Sequence, residues 1–285
     1  MVEVERFLSI GNNLGEGPLW SAAEQRLYWV DIYACHVHSI APGEKACATH
    51  TLPQPVGCLG LRARGGFVVA LKNGIHFWNP VTDALEWVND PEADKPQSRF
   101  NDGKVDRAGR FWAGTMDDGD RSALYRLDPD GTIRVMQTGV TTSNGIGWSP
   151  DNRVMYYNDS GMGTMYAYDF DLDTGRIGNR RIFYQSDNGL PDGLTVDSEG
   201  CIWTAYWDGW RVERFDPDGK LMTSIELPVQ RPTCPTFGGA NLDELYITSA
   251  FAGLSAAARR RQPFAGDLFR IDAGVKGLPE PMFAG

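Results

Sequence analysis

The chain has 285 residues and a formal net charge of −10, from 37 acidic and 27 basic side chains. Phosphate backbones and anionic bilayers need concentrated positive charge, so this balance argues against a nucleic-acid or membrane partner. The 33 glycines, 17 prolines, 13 phenylalanines, 10 tyrosines and 9 tryptophans combine turn formers with aromatic strand residues and favour many short strands over long helices.

The amino terminus, MVEVERFLSIG, lacks the basic flank and apolar core of a signal peptide, and no later run has the length of a membrane span. Five cysteines, an odd number without CxxC spacing, read as reduced thiols rather than a disulfide framework or zinc knuckle. A cytoplasmic protein is expected.

Beyond Val2 to Leu8, a glycine recurs at Gly17, Gly60, Gly103, Gly145, Gly193 and Gly238, with gaps of 43, 43, 42, 48 and 45 residues. Each marker is expected to precede a short strand, a polar turn and a more apolar strand. The apolar strands are Leu27 to Val30, Phe67 to Leu71, Phe111 to Ala113, Val154 to Tyr157, Ile202 to Tyr206 and Leu245 to Thr248. Third strands follow at Ala123 to Asp128, Met165 to Asp169, Arg211 to Asp216 and Asp267 to Asp272. Two of these end in Asp-Pro-Asp-Gly turns, in which proline presets φ and glycine takes the left-handed step. Fourth strands are legible at Thr132 to Gln137 and Leu221 to Leu227.

Four short antiparallel strands recurring about every 45 residues make a β-propeller blade, and six blades close a ring without long free edges. The sequence therefore predicts an all-β, six-bladed β-propeller, one domain over residues 1–285, with Val2 to Leu8 completing the last blade. A β-sandwich has similar strands but no reason for a glycine at near-constant spacing. WD40 signatures are absent.

The residues just ahead of the markers should crowd one mouth of the central channel. They are Glu16, Leu59, Asp102, Asn144, Asp192 and Phe237. Asp and Asn also serve ordinary turns, but Glu is not a turn residue. Carboxylates sharing a funnel repel unless a positive charge sits among them, and a hard divalent cation takes oxygen ligands of this kind. Only four histidines exist, His36, His38, His50 and His76, all in the first two repeats, so a nitrogen-rich site is not indicated. Asp169, Asp171 and Asp173 imitate an EF-hand loop, but Gly175 comes one place late and Arg180 stands where the bidentate Glu belongs, so a strand ending in a turn is expected. Trp112, Trp148 and Trp203 read as packing, and Arg259 to Arg261 as a solvated face.

The segments LGEGPLW around Glu16, RFNDGKVDRAGRFWAGTM from Arg99, SNGIGWSPD around Asn144, LPDGLTVDSEGCIWTAYW around Asp192 and the tail GVKGLPEPMFAG together resemble the senescence-marker-protein (regucalcin), gluconolactonase and luciferin-regenerating-enzyme family, in its bacterial sugar-lactonase form. The resemblance implies a six-bladed propeller enzyme that uses one divalent metal ion, Ca, Zn, Mg or Mn, to hydrolyse sugar lactones. It implies metal ligation by Glu16, Asn144 and Asp192, with Arg99 and Asn101 on the substrate. Asp192 is the expected general base. Asp102 is expected behind the ligands or on the substrate, and the acidic loop Asp117 to Asp120 near the sugar. The implied partner is a small sugar lactone, with no protein partner. An esterase or phosphotriesterase on the same scaffold, and a non-catalytic calcium-binding propeller, are the alternatives.

Overall fold

The apolar runs that follow each polar turn are sealed on both faces. Val68, Val69 and Ala70 in one such strand and Leu245, Tyr246 and Ile247 in another are at most 1% exposed, as strands sandwiched between neighbouring sheets must be. The computed structural model describes residues 3–117, 119 and 121–285. Their strands form six four-stranded antiparallel sheets, arranged in a ring as a six-bladed β-propeller, as the sequence predicts. The innermost strands are Gly15–Ser21, Val56–Leu61, Arg99–Val105, Ser143–Trp148, Leu190–Val196 and Pro232–Gly238, here counted as blades 1 to 6. Each packs on the next, and the sixth packs on the first.

The core is divided in the same way. Six apolar clusters each join one blade to its neighbour; Trp20 stacks on Tyr246 between blades 1 and 6, and Phe111 and Val68 share the cluster between blades 2 and 3. Trp112, Trp148 and Trp203 are buried in this packing. Two turns are nailed down by a fully buried aspartate. Asp106 accepts hydrogen bonds from the Ala108 and Arg110 amides and from Trp112 Nε1 at 2.8 Å. Asp197 does the same for Glu199, Cys201 and Trp203 Nε1 at 2.9 Å.

One correction concerns register. The marker glycines lie within the innermost strands, not ahead of them, and Gly238 is the last residue of its strand. Phe237 and Leu59 are therefore core residues rather than mouth residues. The true repeat is a β-bulge near the start of every innermost strand, where pairing slips between Glu16 and Leu19, Val56 and Cys58, Phe100 and Gly103, Ser143 and Ile146, Pro191 and Leu194, and Pro232 and Pro235. Aligning these bulges equates Asn101, Asn144, Asp192 and Thr233. Asp102 then takes the position of Gly145 and Gly193.

The aspartate run behaves as expected: strand Thr164–Asp171 ends in a turn before strand Arg176–Gln185. Arg259 to Arg261 close a short helix, Ala256–Arg261, with no buried residue. Among the described residues no helix is long and apolar enough to cross a membrane.

Strand Glu5–Leu8 forms the outer strand of blade 6, pairing antiparallel with Leu268–Asp272 through Glu5 opposite Arg270 and Leu8 opposite Leu268. Asp267 adds hydrogen bonds from the Ile10 and Gly11 amides and from Arg6. The ring is thus closed by the two ends of the chain. Removal of residues 1–9 should lower the thermal midpoint by roughly 10 °C or more; a truncated protein that melts with the intact one would show that this closure carries no stability.

Candidate active site

The bulges turn side chains toward the ring axis at one mouth, and between blades 4 and 5 the strands approach so closely that the residue after Asn144 must be glycine. A Cβ on Gly145 would lie 2.5 Å from the Leu194 amide nitrogen and 2.7 Å from the Asp192 carbonyl oxygen. This close approach brings Asn144 of blade 4 against Asp192 of blade 5, with Asn144 Nδ2 donating to Asp192 Oδ1 at 2.5 Å and to Ser160 Oγ at 3.0 Å. Ser160 donates in turn to the Pro191 carbonyl at 2.6 Å, and Asn158 Nδ2 holds the Asp192 carbonyl at 2.6 Å. The Asn144 side chain and the Asp192 backbone are thus fixed from behind.

Aspartates at the outer ends of the second strands fix the loops that lead in. Asp31 accepts from the Asn13 and Leu14 amides, just ahead of Glu16. Asp159 accepts from the Thr141 and Thr142 amides, just ahead of Asn144.

Glu16, Arg99, Asn101, Asn144 and Asp192 all line one open pocket of about 270 Å³. Arg99 Nη1 donates to Asn101 Oδ1 at 2.7 Å and to the Phe100 carbonyl at 2.9 Å, while Asn101 Nδ2 donates to the Ser143 carbonyl at 2.9 Å. Asp102 is not on this wall. It faces a smaller cavity deeper in the channel, as its place in the bulge dictates. Of the acidic loop, Asp117 pairs with Arg121 at 2.9 Å; Asp118 and Asp120 lie outside the described residues.

Tyr33, Leu190 and Trp207 complete the rim and were not anticipated. Their signal lies in antiparallel pairing: the residue that ends a second strand sits beside the one that starts the first, as Trp207 does opposite Leu190 and Asp31 opposite Gly15. Tyr33 follows two residues after Asp31.

The site is electrostatically unsatisfied. Burial, then the charges of Asp192 and Asp102, push the Glu16 carboxyl well above the usual carboxylate range, against the Gly17 amide and Arg99. Burial and then Asp102 push Asp192 up likewise, opposed by hydrogen bonds with Asn144 and Glu16 and by the charge of Arg99. Asn144 Oδ1 is buried without a hydrogen-bond partner. Two buried carboxylates and an orphaned amide oxygen at one mouth fit a hard divalent cation, which takes oxygen ligands of this type and offsets their mutual repulsion. Among the described residues no cluster of three or more His, Cys, Asp or Glu side chains is poised for a metal; the third donor here is an amide.

Residues 14–251 match the family described as SMP-30/Gluconolactonase/LRE-like region. The chain belongs to that family. It is 41% identical to the 6-deoxy-6-sulfogluconolactonase of Pseudomonas putida over 95% of both chains. It is 40% identical to the regucalcin of Danio rerio, over 100% of this chain and 99% of the other. Among solved structures it superposes with TM-score 0.93 on a calcium-binding protein, regucalcin, from Agrobacterium tumefaciens strain C58, at 28% identity over 96% of this chain and 95% of that one.

Asp102 offers a pH test. Burial, against the Gly103 amide and Lys104, raises its carboxyl from 3.8 to about 6. Between those values the folded chain holds a proton that the unfolded chain has released, so stability present at low pH is lost as pH rises. In chelator, the thermal midpoint of Asp102→Asn relative to wild type should therefore climb from about pH 4 to about pH 7; a difference that stays flat would contradict this account.

Proposed function

We propose that this protein is a divalent-metal-dependent sugar-lactone hydrolase that opens aldonolactones such as gluconolactone to the sugar acids. Family membership supports lactone hydrolysis in general. The observation that carries the finer reading is the orphaned Asn144 Oδ1 beside two buried carboxylates, Glu16 and Asp192, at the floor of a pocket walled by Arg99 and Asn101.

A divalent ion held by Glu16, Asn144 and Asp192 would polarise the lactone carbonyl and acidify a water nearby. Asp192 takes the proton as water adds to the carbonyl carbon, and returns it to the ring oxygen as the acyl C–O bond breaks. Asp192 is suited to this role by its place: it lines the pocket and would stand beside both the ion and the attacking water. Asn144 holds one oxygen of the Asp192 carboxylate and Asn158 its backbone carbonyl, so Asp192 reaches the water without reorganising. Arg99, with Nη1 tied to Asn101, presents its remaining N–H groups to a sugar hydroxyl or to the nascent carboxylate, a planar fork suited to two oxygens at once.

Glu16→Ala and Asp192→Ala should each abolish tight divalent binding and cut acid release from gluconolactone by roughly a hundredfold or more. Full activity in either would remove this site from consideration. Arg99→Lys should raise KM about tenfold with a smaller change in kcat, because the point charge keeps the attraction but loses the fork; unchanged KM would release Arg99 from substrate contact. Acid release from lactones, aryl esters and phosphotriesters, followed with and without chelator, separates lactonase from esterase action. The same panel separates both from metal binding without turnover, a reading favoured by the calcium-binding relative.

A further inference from the structure

Past Asp272 the chain leaves blade 6 and runs beneath the ring, across the mouth opposite the pocket. The Lys276 carbonyl accepts from the Ser198 amide, Pro279 from Arg107, and Gly285 from Arg62, while the Phe283 amide donates to Leu61 and that of Ala284 to Gly109. The tail thereby touches blades 5, 3 and 2 and spans the axis.

Where it crosses, Glu280 turns inward. Its Oε1 lies 2.9 Å from Lys104 Nζ, with the two side chains 9% and 20% exposed. Above this pair is a cavity of about 20 Å³, lined by residues of all six innermost strands, with Asp102 and Lys104 on its wall and Glu280 and Pro281 across its floor. That is room for about one water molecule. Charges therefore follow one another down the axis: Glu16 and Asp192 at the pocket, Asp102 beneath them, then Lys104, then Glu280 from the tail.

We infer that the carboxy-terminal tail belongs to the cation site, with Lys104 and Glu280 as positioning residues that set the potential felt by an ion at Glu16, Asn144 and Asp192. The inference rests on the metal reading above. The charges stand close enough to act on one another: Asp102 and Lys104 share the wall of one small cavity, and Glu280 closes its floor beside Lys104. Glu280 offsets the ammonium of Lys104, so only part of that positive charge reaches the ion. In a channel screened from bulk solvent such a charge acts over a longer range than at the surface.

The sign of the effect separates this role from mere packing. Glu280→Gln leaves Lys104 uncompensated and should weaken divalent binding. Lys104→Met leaves two carboxylates uncompensated and should tighten it, while lowering the melting temperature in chelator. Each shift should be on the order of threefold to tenfold in dissociation constant, and the double variant should return toward wild type.

Isothermal titration of calcium, and separately of manganese, into metal-stripped full-length proteins reads all four affinities. Opposite shifts establish the role. Equal-signed shifts, or none, overturn it, because a floor that merely packs would weaken binding whichever partner was lost. If Lys104→Met does not fold, Glu280→Gln decides alone: unchanged or tighter binding defeats the inference. A wild-type protein that takes up neither ion defeats the metal reading instead.

Discussion

The structure depends on how closely six innermost strands approach one axis. At their bulges the backbones come near enough that Gly145 admits no Cβ, and the side chains on either side of that contact have nowhere to point but inward. Asn144 and Asp192, neighbours in space and 48 residues apart in sequence, share a hydrogen bond for this reason. A propeller concentrates whatever residue type it carries at this register, and here Asn101, Asn144, Asp192 and Thr233 bring oxygen atoms to it, while Glu16 joins them from one residue ahead of its own bulge.

Concentration has an electrostatic cost. Glu16, Asp102 and Asp192 are all buried, and the cations facing them, Arg99 from the pocket and Lys104 from below, already serve other partners. Buried carboxylates of this kind either retain protons or hold a cation. The same excess of negative charge that destabilises the ring is what the proposed ion would offset. The aspartates that anchor the leading loops, Asp31 and Asp159, and the hydrogen bonds from Asn158 and Ser160 keep the donors from relaxing apart.

Much of this was legible in the sequence. The fold followed from glycine spacing and turn chemistry, because every blade solves the same packing problem with the same punctuation. The frame slipped where a blade uses different residues for the bulge: blade 6 has Thr233 and Cys234 there, and blade 2 a single Gly57, so Gly238 and Gly60 marked other points on their strands. Asp102 looked like a pocket residue because it precedes a marker glycine, whereas the bulge turns it down the channel. Tyr33, Leu190 and Trp207 were invisible because their position at the rim is set by pairing between strands rather than by local pattern. The Lys104–Glu280 pair joins residues that only the path of the tail brings together.

The outer strand of blade 6 has a consequence for how the protein forms. Glu5 finds Arg270 across 265 residues of chain, so the ring cannot shut until nearly all of the sequence is available, and loops that long close slowly. Until then the axial register is open on one side, and Glu16, in the blade that meets the closing one, has no fixed distance to Asp192. The donor set is thus complete only in the closed ring, and the proposed ion, by binding that form alone, would latch it shut.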